Sequence, residues 1–290
     1  CDDFLEHNPI NQISEDVFFT SEKDLEIYSN GFLENYMPHE ETLAWGDQYC
    51  DNMVTRSSTE FLIGNSWTAD DQGNWGSGKS GKWAQLRDVN YFLDNIVKAK
   101  DNVSDEIYRH YVGVGRYWRA YFYYDMVKQF GDVPWYDHEI DYEDTEALYK
   151  PRDSREFVMS KVLEDLDYAA ENCSADPKFV NSSTRISKWV ALAFKSRVCL
   201  FEGTYRKYHT DLNLSSSAQT FLQASIDASE ELMNDGPYSI YKSGNLKTQY
   251  RSLFISPDLN TTEVILGKAC STTLNKLTQI TWKLFSGSFG

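Results

Sequence analysis

The segment Gly73-Asn74-Trp75-Gly76-Ser77-Gly78-Lys79-Ser80 satisfies the spacing GxxxxGK[ST]. In that pattern glycine N–H groups cradle a phosphate chain, the lysine reaches the outer phosphates and the hydroxyl meets Mg²⁺. The chemistry requires a buried strand before the loop and a helix starting at the lysine. Here the preceding Thr68-Ala69-Asp70-Asp71-Gln72 is polar and turn-like, and Gly81 follows Ser80 at once, where a helix should be gaining its first turn. No run of four aliphatic residues ending in Asp comes later to supply the Mg²⁺ partner. The segment therefore reads as a glycine-rich surface loop and not as a nucleotide site.

Other reactive constellations are missing from the sequence. His7, His39, His110, His138 and His209 are dispersed, with no HExxH pair, and there is no GxSxG. With 44 acidic residues a pair of carboxylates at glycosidase separation is expected somewhere by number alone, so the count does not select an enzyme. No catalytic residue is assigned and no cofactor is required. Asp70, Asp71 and Asn74 offer oxygens to a structural calcium, without the spacing of an EF-hand loop. Cys50, Cys173, Cys199 and Cys270 form no CxxC pair; four thiols permit two disulfides, but their scatter defines no framework. Cys199 lies in an apolar helical stretch and reads as a small buried hydrophobe.

The aromatic content of the loop is better suited to recognition. Trp67 and Trp75 stand among Gly, Asn and Asp outside any helical stripe. An indole beside hydrogen-bonding side chains stacks on a sugar ring or a peptide side chain while the polar groups satisfy the ligand's edges. The alternative is that both rings plug the loop onto the helices. Asp70 and Asn74, with Asp47 and Asp51 on the same irregular stretch, complete the set of candidate ligand contacts.

Composition limits the partners. The chain has 290 residues, 15% of them aromatic, with 28 basic against 44 acidic side chains and a net charge of −16. Such a field repels phosphate backbones, so nucleic acid is excluded as a partner while neutral or cationic ligands are not. No run of about eighteen apolar residues is present to span a bilayer.

The elements that must position the loop are helical. Ser21-Glu22-Lys23-Asp24 reads as a capping box, followed by Leu25, Tyr28, Phe32 and Tyr36 at helical spacing. Residues 1–20 read as an extended tail and about 38–82 as a long irregular insertion. A helix over about 83–99 carries Leu86, Asn90, Leu93 and Val97 on one face. Ser104 caps the next, with a stripe of Ile107, Tyr111, Val114, Trp118, Tyr121 and Phe122 running to Gly131. Asp153 with Glu156 is expected to cap a helix bearing Val158, Val162, Leu166 and Ala170. Ser187 opens one with Val190, Phe194, Val198 and Phe201, and a last one carries Phe221, Ala224, Ala228 and Leu232 up to Gly236-Pro237. Glu263-Val264-Ile265-Leu266 reads as a short strand. The fold class is mainly α, with paired helices in series. Trp83-x-x-Leu86 matches the opening of a tetratricopeptide consensus and nothing more of it.

Cys1 precedes Asp2-Asp3-Phe4-Leu5 with no initiator Met and no export segment ahead of it. A bacterial lipoprotein matures by cleavage before such a cysteine, which then carries lipid; an arbitrary chain boundary is the other reading. Taken in order, several segments resemble the SusD/RagB family of Bacteroidetes surface lipoproteins. They are Cys1 to Glu6 with Phe18 to Leu25; Trp83 through Ile96; Gly115-Arg116-Tyr117-Trp118-Arg119-Ala120-Tyr121-Phe122-Tyr123-Tyr124-Asp125 with Gln129 to Pro134; Pro151 to Glu156 with Asp165-Leu166-Asp167; and Thr184 to Lys188 with Arg197 to Thr204.

The resemblance implies a helical domain over 21–290 built from tetratricopeptide-like helix pairs with long irregular loops. It implies a lipid on Cys1 and a place on the exterior face of the outer membrane. The implied partners are outer-membrane lipid and a SusC-like TonB-dependent barrel, which receives a captured oligosaccharide or peptide. A surface glycoside hydrolase and a non-binding scaffold subunit are the alternatives. Arg116 and Arg119 read as structural, their charges paired or solvated beside a buried aromatic face. Family members are considerably longer, so the chain is expected to correspond to the N-terminal half, truncated before the C-terminal half of the fold. Within that half the family's ligand contacts tend to come from the loop before the second helix, here Trp67 to Lys79.

Overall fold

The structure is a computed structural model that describes residues 18–38, 46, 75–76, 82–180, 183–256 and 258–268. The chain divides into two compact units, residues 1–31 with 86–267 and residues 32–85 with 268–290. Helices dominate: α1 (Glu22–Tyr36), α2 (Lys82–Asn95), α3 (Asp105–Phe130), α4 (Thr145–Leu148), α5 (Arg155–Asn172), α6 (Pro177–Val180), α7 (Lys188–Tyr208), α8 (Ala218–Asp235) and α9 (Gln249–Ile255). None of these described helices is long and apolar enough to cross a membrane.

In the larger unit, α1 begins as its sequence dictates. The Ser21 N–H donates to Asp24 Oδ2 at 3.0 Å and the Asp24 N–H returns to Ser21 Oγ at 3.3 Å, a reciprocal capping box. Phe19, just ahead of it, is buried at a positive φ of 65°. Its ring lies 5.0 Å from Tyr28 and 6.0 Å from Phe92, and Tyr28 stacks on Phe92 at 5.6 Å. This end of the expected extended tail is a turn that plugs an aromatic ring between α1 and α2.

α2 ends in a 3₁₀ turn, Ile96–Ala99. The tighter turn advances each residue by more than an α-helix does, so the apolar register slips. Ile96 and Ala99 are buried, while Val97, expected on the core face, is 57% exposed.

Four helices then stack antiparallel in series, tetratricopeptide-like. α3 and α5 run in opposite directions: Gly113 near the start of α3 meets Cys173 after α5, and the Arg155 N–H at the start of α5 donates to Asp132 beyond the end of α3. In the next pair the Lys188 N–H donates to Ser174 O at one end and Arg155 meets Glu202 at the other, which sets α7 against α5. Finally α8 returns along α7, with Lys188 on Glu231 and Gly203 against Leu222. Val158, Val162, Leu166, Val190, Val198, Phe221 and Ala228 fill the seams, as their spacing predicts.

Two local expectations are corrected. The cap of α5 is Ser154, whose Oγ accepts from the Phe157 N–H at 3.3 Å. Asp153 instead accepts from the Trp135 N–H at 2.7 Å and pairs with Lys150, fastening the segment after α3. Residues 263–266 are not a strand. The Glu263 and Val264 N–H groups close turns on Asn260 O, while Val264 O accepts from Ser183 Oγ and the Gly267 N–H donates to Ser183 O. These bonds tie the stretch to its own turn and to Ser183 in place of a ladder.

In the smaller unit, Gln85 Nε2 donates to Asn35 O at 3.2 Å and Lys268 pairs with Glu34 at 3.1 Å.

Candidate functional site

The loop singled out for its indoles reaches the described residues at Trp75 and Gly76, immediately before α2 in space. The Trp83 N–H, in the first turn of α2, donates to Gly76 O at 3.4 Å. Gly76 is buried with φ +84°, and a Cβ there would lie 2.7 Å from Lys82 Cβ and 2.9 Å from the Lys82 nitrogen. The left-handed conformation and the close approach both require glycine. The indoles of Trp75 and Trp83 sit 5.2 Å apart, their planes inclined at 46°. Each is half-buried, covered on part of its surface and open on the rest. The pair joins the two roles considered for Trp75: it anchors the loop end and presents aromatic surface.

Of the candidate ligand residues, Trp75 is the one the structure places. Asp47, Asp51, Trp67, Asp70 and Asn74 lie outside the described residues, as do Cys1 and the calcium candidate Asp71. Among the described residues no group of three His, Cys, Asp or Glu side chains is arranged to hold a metal. Trp83 was legible only as the opening of a scaffold consensus. The signal that connects it to Trp75 is an indole in a helix's first turn, a few residues after a Trp-Gly pair.

The buried charged groups elsewhere are committed to packing. Arg119 offers Nε and Nη2 to the two oxygens of Asp165 at 2.7 and 2.8 Å, and Nη1 to Asp137 O at 2.9 Å. Burial pushes the Asp165 carboxyl above the usual carboxylate range, and the Arg119 guanidinium opposes that shift. Arg116 lies over the Tyr168 ring at 4.3 Å with Nε 3.8 Å from Asp165. Both arginines are paired beside aromatic rings, as expected. Glu202, fully buried, accepts from Arg155 Nε and Nη2 at 3.0 and 2.6 Å and from Arg206 Nε at 2.7 Å. Buried carboxylates are the usual candidates for acid–base work. Here the oxygens of Asp165 and Glu202 are occupied by guanidinium groups and closed to a substrate.

The thiols of Cys173 and Cys199 are equally withdrawn; Cys50 and Cys270 lie outside the described residues. Cys199 is buried, as its apolar stretch predicts, and burial pushes its thiol up to about 12. Burial raises Cys173 as well. At neutral pH neither offers a thiolate.

Comparison with known proteins places this architecture. Residues 3–200 match the model of a SusD-like family described as "Starch-binding associating with outer membrane". A SusD-like protein of Formosa agariphila is 26% identical over 267 residues, taking in 90% of this chain and 47% of that relative. A crystal structure of a SusD-like protein from Bacteroides fragilis superposes with a TM-score of 0.67 at 22% identity, covering 93% of this chain and 49% of that one. A second crystal structure, solved with a xylogluco-oligosaccharide, superposes with a TM-score of 0.56 at 18% identity over 85% of this chain and 46% of that one. The chain thus spans about half the length of the relatives it matches.

Proposed function

The chain belongs to the SusD-like family, and on that premise we propose that it captures a neutral oligosaccharide at the cell surface and hands it to a SusC-like TonB-dependent barrel. In this reading Cys1 carries the lipid that holds the protein on the outer leaflet of the outer membrane, and no chemical step follows capture. The observation that carries the reading is Trp75, a half-buried indole fixed on Trp83 at the start of α2. An indole so held stacks on the C–H face of a pyranose at little conformational cost. Trp67 supplies a second aromatic face, and Asp47, Asp51, Asp70 and Asn74 supply oxygens that accept from sugar hydroxyls. The net charge of −16 selects against uronate and sulfated glycans. The relative solved with a xylogluco-oligosaccharide supports a neutral glycan.

Calorimetry of the full-length, lipid-free protein tests this. Maltoheptaose, a xylogluco-oligosaccharide and short peptides are titrated separately into wild type and Trp75→Ala. Binding of a neutral oligosaccharide, weakened about tenfold or more by Trp75→Ala, is expected. Binding of peptides alone, or of none of the probes, overturns the proposal. Cleavage of the oligosaccharide, abolished by one carboxylate substitution, would transfer the protein to the glycoside hydrolases.

A further inference from the structure

We propose that Trp83 is the positioning residue for Trp75, setting the angle at which that indole meets a ligand without touching the ligand itself. The inference rests on the reading of Trp75 as a sugar-stacking residue and goes one step deeper. A tryptophan outside a helix or strand has two side-chain torsions and its backbone torsions to fix, and each freedom left open weakens binding. Trp83 constrains both. Its backbone N–H holds Gly76 O, one residue beyond Trp75, and its ring holds the Trp75 ring at 5.2 Å and 46°. The inclined geometry is one of the arrangements favoured by aromatic quadrupoles over a face-to-face sandwich, so the pair has a defined orientation.

Gly76 completes the fixture. At φ +84°, with a virtual Cβ 2.7 Å from Lys82 Cβ, it lets the backbone lie directly on the first turn of α2. The anchor sits in the first turn of that helix. Three features within one unit of the fold, a backbone hydrogen bond, a ring contact and a glycine that admits no side chain, converge on one indole. A loop fastened only for stability would be served by the hydrogen bond and the glycine. The second indole adds control of ring orientation, which matters where a flat ligand must be met face-on.

The test is binding of maltoheptaose and of a xylogluco-oligosaccharide to full-length wild type, Trp75→Ala, Trp83→Ala, Trp83→Phe, Gly76→Ala and the Trp75→Ala/Trp83→Ala double variant. Melting temperatures are recorded alongside. Trp83→Ala is expected to weaken binding about tenfold, Trp83→Phe to restore it to within about threefold, and Gly76→Ala to reproduce the loss with Trp83 intact. The double variant is expected to bind no more weakly than Trp75→Ala alone, because a positioning residue has nothing left to position. If Trp75→Ala weakens binding and Trp83→Ala does not, this inference fails while the proposed function stands. Additive losses in the double variant would make Trp83 a ligand contact and also overturn it. If Trp75→Ala changes nothing, or no probe binds wild type, the site reading falls and the inference with it. Should Trp83→Ala fail to fold, Trp83→Phe and Gly76→Ala decide: a loss in Gly76→Ala with full binding in Trp83→Phe supports the inference, and full binding in Gly76→Ala refutes it.

Discussion

The Arg119 guanidinium grips both oxygens of Asp165 across the α3–α5 seam, with the two side chains 8% and 4% exposed. Its remaining Nη1 holds Asp137 O, so one side chain ties two helices and the segment after α3. Removing one partner strands the other charge out of water. Asp165→Ala is expected to cost about 3–5 kcal/mol, read as a lowered urea midpoint. Replacing both residues with apolar ones, Arg119→Met with Asp165→Leu, is expected to recover most of that loss, because the desolvation cost of both ions disappears. A double variant as unstable as the single one would show that the pair contributes more than mutual neutralisation.

Gly113 sets how closely α3 approaches the end of α5. A Cβ at that position would lie 2.8 Å from Cys173 Sγ and 3.6 Å from Ala169 Cα. Gly113→Ala is expected to destabilise by about 1–3 kcal/mol through overpacking, despite the better helix propensity of alanine. Cys173→Ala removes the sulfur that a new methyl would strike. In that background the cost of Gly113→Ala is expected to shrink by at least half, which thermal melts of the four proteins will measure.

Sequence patterning succeeded where one periodicity governed a whole element. Ser104 accepts from the Ile107 N–H, Gly131 takes a positive φ, and the 26 residues of α3 between them bury Tyr111, Val114, Trp118 and Phe122 as spaced. It failed where the period changed or the partner was distant. Val97 turned outward because α2 tightens after Asn95, a switch no hydrophobic count announces. Glu202 and Arg155 look like surface residues by type, yet they are buried against each other across 47 positions of sequence. The same limit applies to the site. Trp75 could be chosen from its polar, glycine-rich surroundings, but its contact with Trp83 depends on how Gly76 turns against Lys82, a tertiary contact that no local pattern announces.

Ser154 and Asp153 are adjacent but separable. Ser154 caps α5, so Ser154→Ala is expected to cost about 1 kcal/mol, with Ser154→Asp close to neutral. Asp153 accepts from the Trp135 N–H and pairs with Lys150, and its loss should act on the segment after α3. Hydrogen exchange is expected to report this: Asp153→Ala speeds exchange at Trp135 while the first turn of α5 stays protected, and Ser154→Ala does the reverse.

His110 predicts how stability responds to acid. Its Nδ1 accepts from the Ser174 N–H at 3.0 Å and its ring lies 4.0 Å from Phe179, so the buried imidazole is neutral. Burial, aided by the positive charges of Lys178 and Arg185, lowers its pKa from 6.5 to about 3. Between those values the unfolded chain takes up a proton at this site that the folded chain refuses. The contribution of neutral His110 is therefore complete above pH 6.5 and is lost as pH falls toward 3, at up to about 1.4 kcal/mol per pH unit. His110→Asn keeps a hydrogen-bond acceptor and does not titrate. Its melting temperature is expected to lie below that of wild type at pH 7.5, and to fall less steeply between pH 6.5 and pH 4.5. Parallel curves for the two proteins across that range would show that His110 is protonated in the fold and would overturn its assignment as a neutral acceptor.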